Sequence, residues 1–255
     1  MKEKTASFKG VATKLLQLSD GVLRVMMDRF DDEVQPFLET LERRVMEETY
    51  FTYLSDEEAI EVLVTRKEYE RTEAERIVRE WRQIATSLGY TGPVAVMVRS
   101  GFALKTHAPK LGPCYEQWAY LQDWTLKNDA PTADSLAFFV PRLVANSTSK
   151  NKDEQIQLLS ELRKLHELPE HHLASFGDAS MLAGLILLHF KRTGERTPLN
   201  GDYVRTDTVR TDGWRLLLGR FGDYGLDCHR WCCSGGGRSD VRLGCFALGV
   251  ESLGT

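Results

Sequence analysis

Residues Gly201–Val250 read GDYVRTDTVRTDGWRLLLGRFGDYGLDCHRWCCSGGGRSDVRLGCFALGV. This stretch has no Lys, Glu, Gln, Met, Ile, Asn or Pro, yet it holds ten of the twenty glycines and four of the five cysteines. All twelve lysines precede it, and seven arginines lie within it. Exposed β-structure ordinarily uses Lys, Glu and Gln freely, so their joint absence needs a cause. Apolar residues here recur with period 2, which predicts strands over Asp202–Thr208, Trp214–Gly219, Leu226–Cys233 and Val241–Val250. Turn-forming residues separate them at Thr211–Gly213, Gly222–Gly225 and Ser234–Asp240. The expectation is a compact antiparallel sheet with exposed loops. In Asp227–Cys233, Cys228, Arg230 and Cys232 alternate with His229, Trp231 and Cys233. Neither set is cleanly apolar, as befits a displayed surface, while Leu218 and Trp231 are expected in the core.

Upstream the period changes to 3.6. Apolar residues at helical spacing run through Leu15–Phe30 and Val34–Tyr53. Ser55-Asp-Glu-Glu58 reads as a capping box opening a helix through Leu63, and Thr72-Glu-Ala-Glu75 as one opening Ala74–Leu88. Ile77, Trp81, Ile84 and Leu88 form the buried stripe of that second helix. Val94–Val98 reads as a strand with Phe102–Thr106 as its hairpin partner. Cys114–Lys127 reads as a helix with Tyr115, Trp118, Leu121 and Trp124 inward. Thr132 is expected to cap a helix over Ala133–Val140. Glu154–Leu165 reads as a helix burying Leu158, Leu159, Leu162 and Leu165. Pro169 suits the first turn of a further helix. Ala179–Arg192 reads as a helix apolar around most of its circumference, which places it between layers. The fold class is therefore α+β, with a helical domain over residues 1–92 and a second domain over 93–255.

Composition excludes several function classes. The formal net charge of −4 over 255 residues speaks against a nucleic-acid binder, which would carry a basic patch or stripe. Nothing approaches the roughly 18 apolar residues a membrane span needs. The N-terminus has no unbroken apolar run of the secretory type, so reduced thiols in a cytoplasmic setting are expected. No nucleophile elbow, phosphate-binding loop or H-E-x-x-H motif occurs, and no enzyme is expected. His166, His171, His172 and His189 have no Cys, Asp or Glu at ligand spacing, so no metal is expected there. The helical region offers a surface for homo-oligomer formation.

The run ASMLAGLILLHFKRTGE (179–195), then PLNGDYVRTDT (198–208), DGWRLLLGRFGDYGLDCHRW (212–231) and VRLGCFALGVE (241–251), resembles the C-terminal part of the C-type-lectin-like variable proteins of diversity-generating retroelements. The resemblance covers roughly residues 150–255. It implies a C-type-lectin-like domain with a small antiparallel sheet whose surface residues are exchanged to make new binding sites. In that family a reverse transcriptase rewrites template adenines, turning AAY codons into NNY codons. Those codons encode Cys, His, Arg, Ser, Gly, Asp, Tyr, Phe, Leu and Val, but not Lys, Glu, Gln, Met or Trp, which matches the missing Lys, Glu and Gln of the stretch, while Trp214 and Trp231 are residues such codons do not supply.

The ligand-binding residues expected on this reading are Tyr203, Trp214, Arg220, Tyr224, His229, Arg230, Cys232, Cys233, Ser234, Arg238, Asp240 and Arg242. Tyr, Trp and Arg are the usual anchors of interfaces, and Ser and Gly supply adaptable polar contacts. The partner is a protein or other macromolecular ligand of unknown identity, with no cofactor. The alternative is a Cys/His metal-binding domain holding zinc or copper through Cys228, His229, Cys232, Cys233 and Cys245, in a structural or redox role. Its C-x3-C spacing with one distant cysteine departs from the paired short knuckles of structural zinc sites.

Overall fold

A computed structural model describes residues 50–127, 132–196, 199, 201–231, 243–244 and 246–253. The expected helices before residue 50 lie outside them. The described chain is mixed α+β and builds two four-stranded sheets. The first has the order β1 (Phe51–Leu54), β2 (Ala95–Val98), β3 (Ser135–Leu143), β8 (Phe246–Ser252), all antiparallel. The second runs β6 (Gly225–Trp231), β5 (Arg215–Gly222), β4 (Tyr203–Val209), β7 (Leu243–Gly244), with β7 parallel to β4.

Helices α1 (Asp56–Lys67) and α2 (Arg71–Ser87) cover one face of the first sheet, where Ala59, Leu63, Ile77, Trp81 and Ile84 meet Leu136, Phe138 and Val140. The other face of that sheet packs on α5 (Ala179–Thr193) through Val96, Val98, Ala137 and Phe139. The far side of α5 meets Val204, Leu216 and Leu218 of the second sheet. The order of layers is thus α1/α2, first sheet, α5, second sheet. Every residue of α5 from Ala179 to His189 is buried, as its all-round apolar sequence requires. Asp178 caps its start by accepting from the amides of Ser180 and Met181. Gly194, at φ 72, ends it in the left-handed region that costs glycine little.

Several expectations change here. The boundary at residue 92 falls inside one compact unit, because β1 and α1–α2 share a sheet and a core with residues 93–253. Phe51–Leu54 is strand, not helix. The Ser55 box is formed in full, but α2 starts at Arg71 behind Glu70, with no cap from Thr72. Phe102–Thr106 is no hairpin partner; α3 (Leu104–Leu111) begins within it. Ala133–Val140 is no helix: Ser135-Leu-Ala-Phe-Phe-Val140 forms β3, and its unbroken apolar run reflects burial on both faces. The segment after Cys114 is a short 3-10 helix (Tyr115–Leu121) in which Glu116, Gln117 and Trp118 take φ between 47 and 55. Pro169–Leu173 is a turn. In α4 (Lys152–Leu165) Leu159 is buried but Leu165 is 76% exposed. The last predicted strand divides: β7 joins the second sheet and β8 crosses to the first.

Candidate functional site

The second sheet packs one face on α5 and buries Tyr203, Leu217 and Trp231 as a smaller cluster on the other, and alternation along each strand decides which residue goes where. Leu218 of β5 pairs with Cys228 of β6, and both point into the core against α5. Leu217 pairs with His229 and points outward, as do Tyr203 and Trp231 beside it. Trp231 and Leu218 are both buried, as expected.

The β5–β6 hairpin carries the exposed groups. Tyr224 at its tip is 82% exposed. Arg220, His229 and Arg230 are exposed as well. Arg220 sits in a bulge between Gly219 and Gly222, at φ 40, with its guanidinium over the ring of Tyr203 at 5.6 Å. The left-handed region costs a side-chain-bearing residue roughly 1–2 kcal/mol, so this position stores strain at a solvent-facing point. The chain before it is tightly packed: a Cβ at Gly219 would lie 2.1 Å from the backbone oxygen of Asp202. His229 meets the other edge of Tyr203, with ring centroids 6.1 Å apart. Among the described residues no carboxylate pairs with Arg220 or Arg230.

Beneath the hairpin the polar groups are spoken for. Asp227 accepts from the hydroxyls of Tyr203 at 2.6 Å and Tyr120 at 2.8 Å. Burial first, then the neighbouring carboxylate, pushes both phenols well above their ordinary values. The outer edge of β6 is closed by side chains and loop. Trp118 Nε1 donates to the carbonyl of Leu226, the amide of Leu226 donates to Pro113, and the amide of Cys228 donates to Tyr120 Oη. Capping of this kind removes the pairing template that a bare edge strand presents.

The expected contact set is therefore split. Tyr203 is only 5% exposed and supports the face from below. Arg230 pairs with Leu216, so it projects to the opposite side from His229 and lies over half-buried Trp214 at 5.1 Å. Arg220, Tyr224 and His229 gather on the outer face and tip. Cys232, Cys233, Ser234, Arg238, Asp240 and Arg242 lie outside the described residues. Within the alternative metal set, Cys228 and His229 do not converge: neighbours in a strand face opposite ways. Burial, with the charge of Asp227 behind it, holds the Cys228 thiol far above its ordinary value.

A second cluster had no local signal in sequence. Oε1 of Glu251, on β8, lies 2.9 Å from His171 Nε2, 3.0 Å from His172 Nε2 and 3.0 Å from the hydroxyl of Tyr69. Lys67 Nζ stands 3.7 Å from its other oxygen. Glu251 and His172 are fully buried. Burial alone would raise the Glu251 pKa, but the neighbouring imidazoles of His172 and His171 outweigh it and hold the carboxyl at about 2. Burial and the charge of Glu251 push Tyr69 up to about 12. Two histidines and a carboxylate suggest a divalent metal. The donor set does not fit one: Trp81 Nε1 donates to His172 Nδ1 at 3.2 Å, so Nδ1 is the acceptor and Nε2 keeps the proton. A metal-bound histidine has the reverse arrangement, donating its second N–H to an acceptor.

Comparison with family models, with curated proteins and with solved structures finds no match to this chain. Among the described residues no helix is long and apolar enough to cross a membrane.

Proposed function

We propose that this chain is a ligand-binding protein that displays a diversified surface on a C-type-lectin-like scaffold. The face is the β5–β6 hairpin with the stretch that follows it. The observation that carries the reading is the division within one hairpin: Arg220, Tyr224, His229 and Arg230 are exposed, while Leu216, Leu218, Leu226 and Cys228 of the same two strands are buried. Side chains can be exchanged at the first set without touching the core. Substitution at the second set costs about 2–5 kcal/mol for a large-to-small change.

Two further features support it. The stretch starts beside one sheet and its closing strand β8 pairs along β3 of the other, so the displayed part is anchored at both ends. Three of the four exposed residues are Arg or Tyr, side chains that carry binding energy in protein interfaces. The partner is a protein or other macromolecule, and the free buried thiols of Cys114 and Cys228 suit a reducing, cytoplasmic setting.

Sequencing sister copies of the gene tests this. Differences are expected to concentrate within 201–250, at positions such as 220, 224, 229 and 230, and to spare 216, 218, 226 and 228. Differences scattered evenly between exposed and buried positions would overturn it.

A further inference from the structure

The contact between Trp81 and His172 has a consequence at acid pH. His172 lies on the turn Pro169–Leu173, with its ring over Gly249 of β8, where a Cβ would stand 3.0 Å from His172 Cγ and 2.5 Å from Trp81 Cζ2. The turn is tied to β8 by the amide of Leu173 donating to the carbonyl of Leu248 at 3.1 Å. Trp81, from α2, offers the buried ring only a donor. Phe138, from β3, offers only an aromatic ring. The titratable and charged groups around His172 are Glu251 on β8, His171 beside it on the turn, and Lys67 and Tyr69 reaching Glu251 from the end of α1.

We propose that Trp81, His172 and Glu251 form an acid-sensitive latch on the closing strand β8. Neutral His172 accepts at Nδ1 from Trp81 and keeps its proton on Nε2, which stands 3.0 Å from Glu251 Oε1 without an aligned hydrogen bond. A proton added at Nδ1 turns that nitrogen into a donor facing the indole N–H at hydrogen-bond distance. Two buried donors then oppose each other, and neither has an acceptor. Relief comes by moving the turn off Gly249, which breaks the Leu173–Leu248 bond and frees the end of β8.

The sign follows from where the proton binds better. Burial lowers the proton affinity of folded His172 despite the opposing pull of Glu251, whereas the unfolded chain binds a proton near the ordinary histidine value of 6.5. Unfolding therefore takes up a proton below that value, and the stability from this contact is full above it and lost as pH falls. Glu251 adds its own loss only as pH falls from its ordinary 4.5 toward about 2, so the two windows separate.

The test is nitrogen-detected NMR of the histidine rings in the full chain, with urea unfolding between pH 7.5 and 5. The spectra are expected to show His172 as the neutral Nε2–H tautomer at pH 7.5, with its protonation displaced below the ordinary histidine value of 6.5. The unfolding equilibrium constant is expected to rise by up to about tenfold per pH unit below 6.5 in excess of His172→Asn, whose amide oxygen keeps an acceptor for Trp81. Trp81→Phe removes the opposing donor and should flatten the dependence. An Nδ1–H tautomer, or titration of His172 at the ordinary value, would overturn the proposal, and both are read on the natural chain even if a variant does not fold. Identical pH dependence in His172→Asn would overturn it too.

Discussion

The hydroxyl of Tyr120 sits 3.0 Å from the carbonyl oxygen of Cys228 and 3.1 Å from its amide nitrogen, 108 residues further along the chain. One phenol thus closes the edge of β6 and, through Asp227, reaches under Tyr203 to the face that bears Arg220 and His229. Tyr120→Phe leaves a buried amide without its acceptor, a loss of about 1–3 kcal/mol. Urea denaturation measures it, and the variant is also expected to associate more at high concentration through the opened edge. A loss below a few tenths would mean that the edge is held by other groups.

Arg220 sits where glycine belongs. Its φ of 40 makes Arg220→Gly more stable than Arg220→Ala by about 1 kcal/mol, because both lose the stack on Tyr203 but only alanine keeps the strain. Thermal or urea unfolding of the two variants gives the difference. Equal stabilities would place the strain elsewhere.

The thiols of Cys114 and Cys228 are buried, and burial raises both well above the ordinary range. They are expected to resist alkylation in the folded chain and to react once it is unfolded in urea. The melting temperature should be indifferent to a strong chelator or to added zinc, since Cys228 and His229 face opposite ways and His172, accepting from Trp81 at Nδ1, keeps its proton on the Nε2 that a metal would need. A zinc-dependent rise of several degrees would revive the metal reading.

Leu159 and Leu165 lie on one helix, and the sequence expects both to be buried. Leu159→Ala should cost about 2–5 kcal/mol, whereas Leu165→Ala should lie within about 0.5 kcal/mol of the natural chain. Urea unfolding separates them directly.

These residues also mark how far the sequence was legible. Helices with complete local signals were readable: Ser55 and Glu58 close a capping box, and α5 announces its burial by being apolar all round. The second sheet was readable because turn residues punctuate a period of 2. The first sheet was not. Strand β3 is buried on both faces and shows no alternation, and the other strands of its sheet come from residues 51–54, 95–98 and 246–252, which no local pattern links. The left-handed turn at Glu116–Trp118 had no glycine to signal it; the burial of Trp118 and its bond to Leu226 hold it in place. Glu251 joins His171 and His172 only because β8 crosses back to the first sheet. Of the expected binding residues, the exposure of Arg220, Tyr224, His229 and Arg230 was legible. The split by strand alternation of Arg230 from His229 follows from a register that the pattern did not specify.

The most direct measurement of the central claim is selection from a library randomised at Arg220, Tyr224, His229 and Arg230, panned against several unrelated proteins. Most members should fold with melting temperatures close to the natural chain. Binders should emerge whose affinity falls at least about tenfold, or 1.4 kcal/mol, when the four positions are reverted. Loss of folding across the library, or binders indifferent to reversion, would contradict the claim that this hairpin is a displayed binding face.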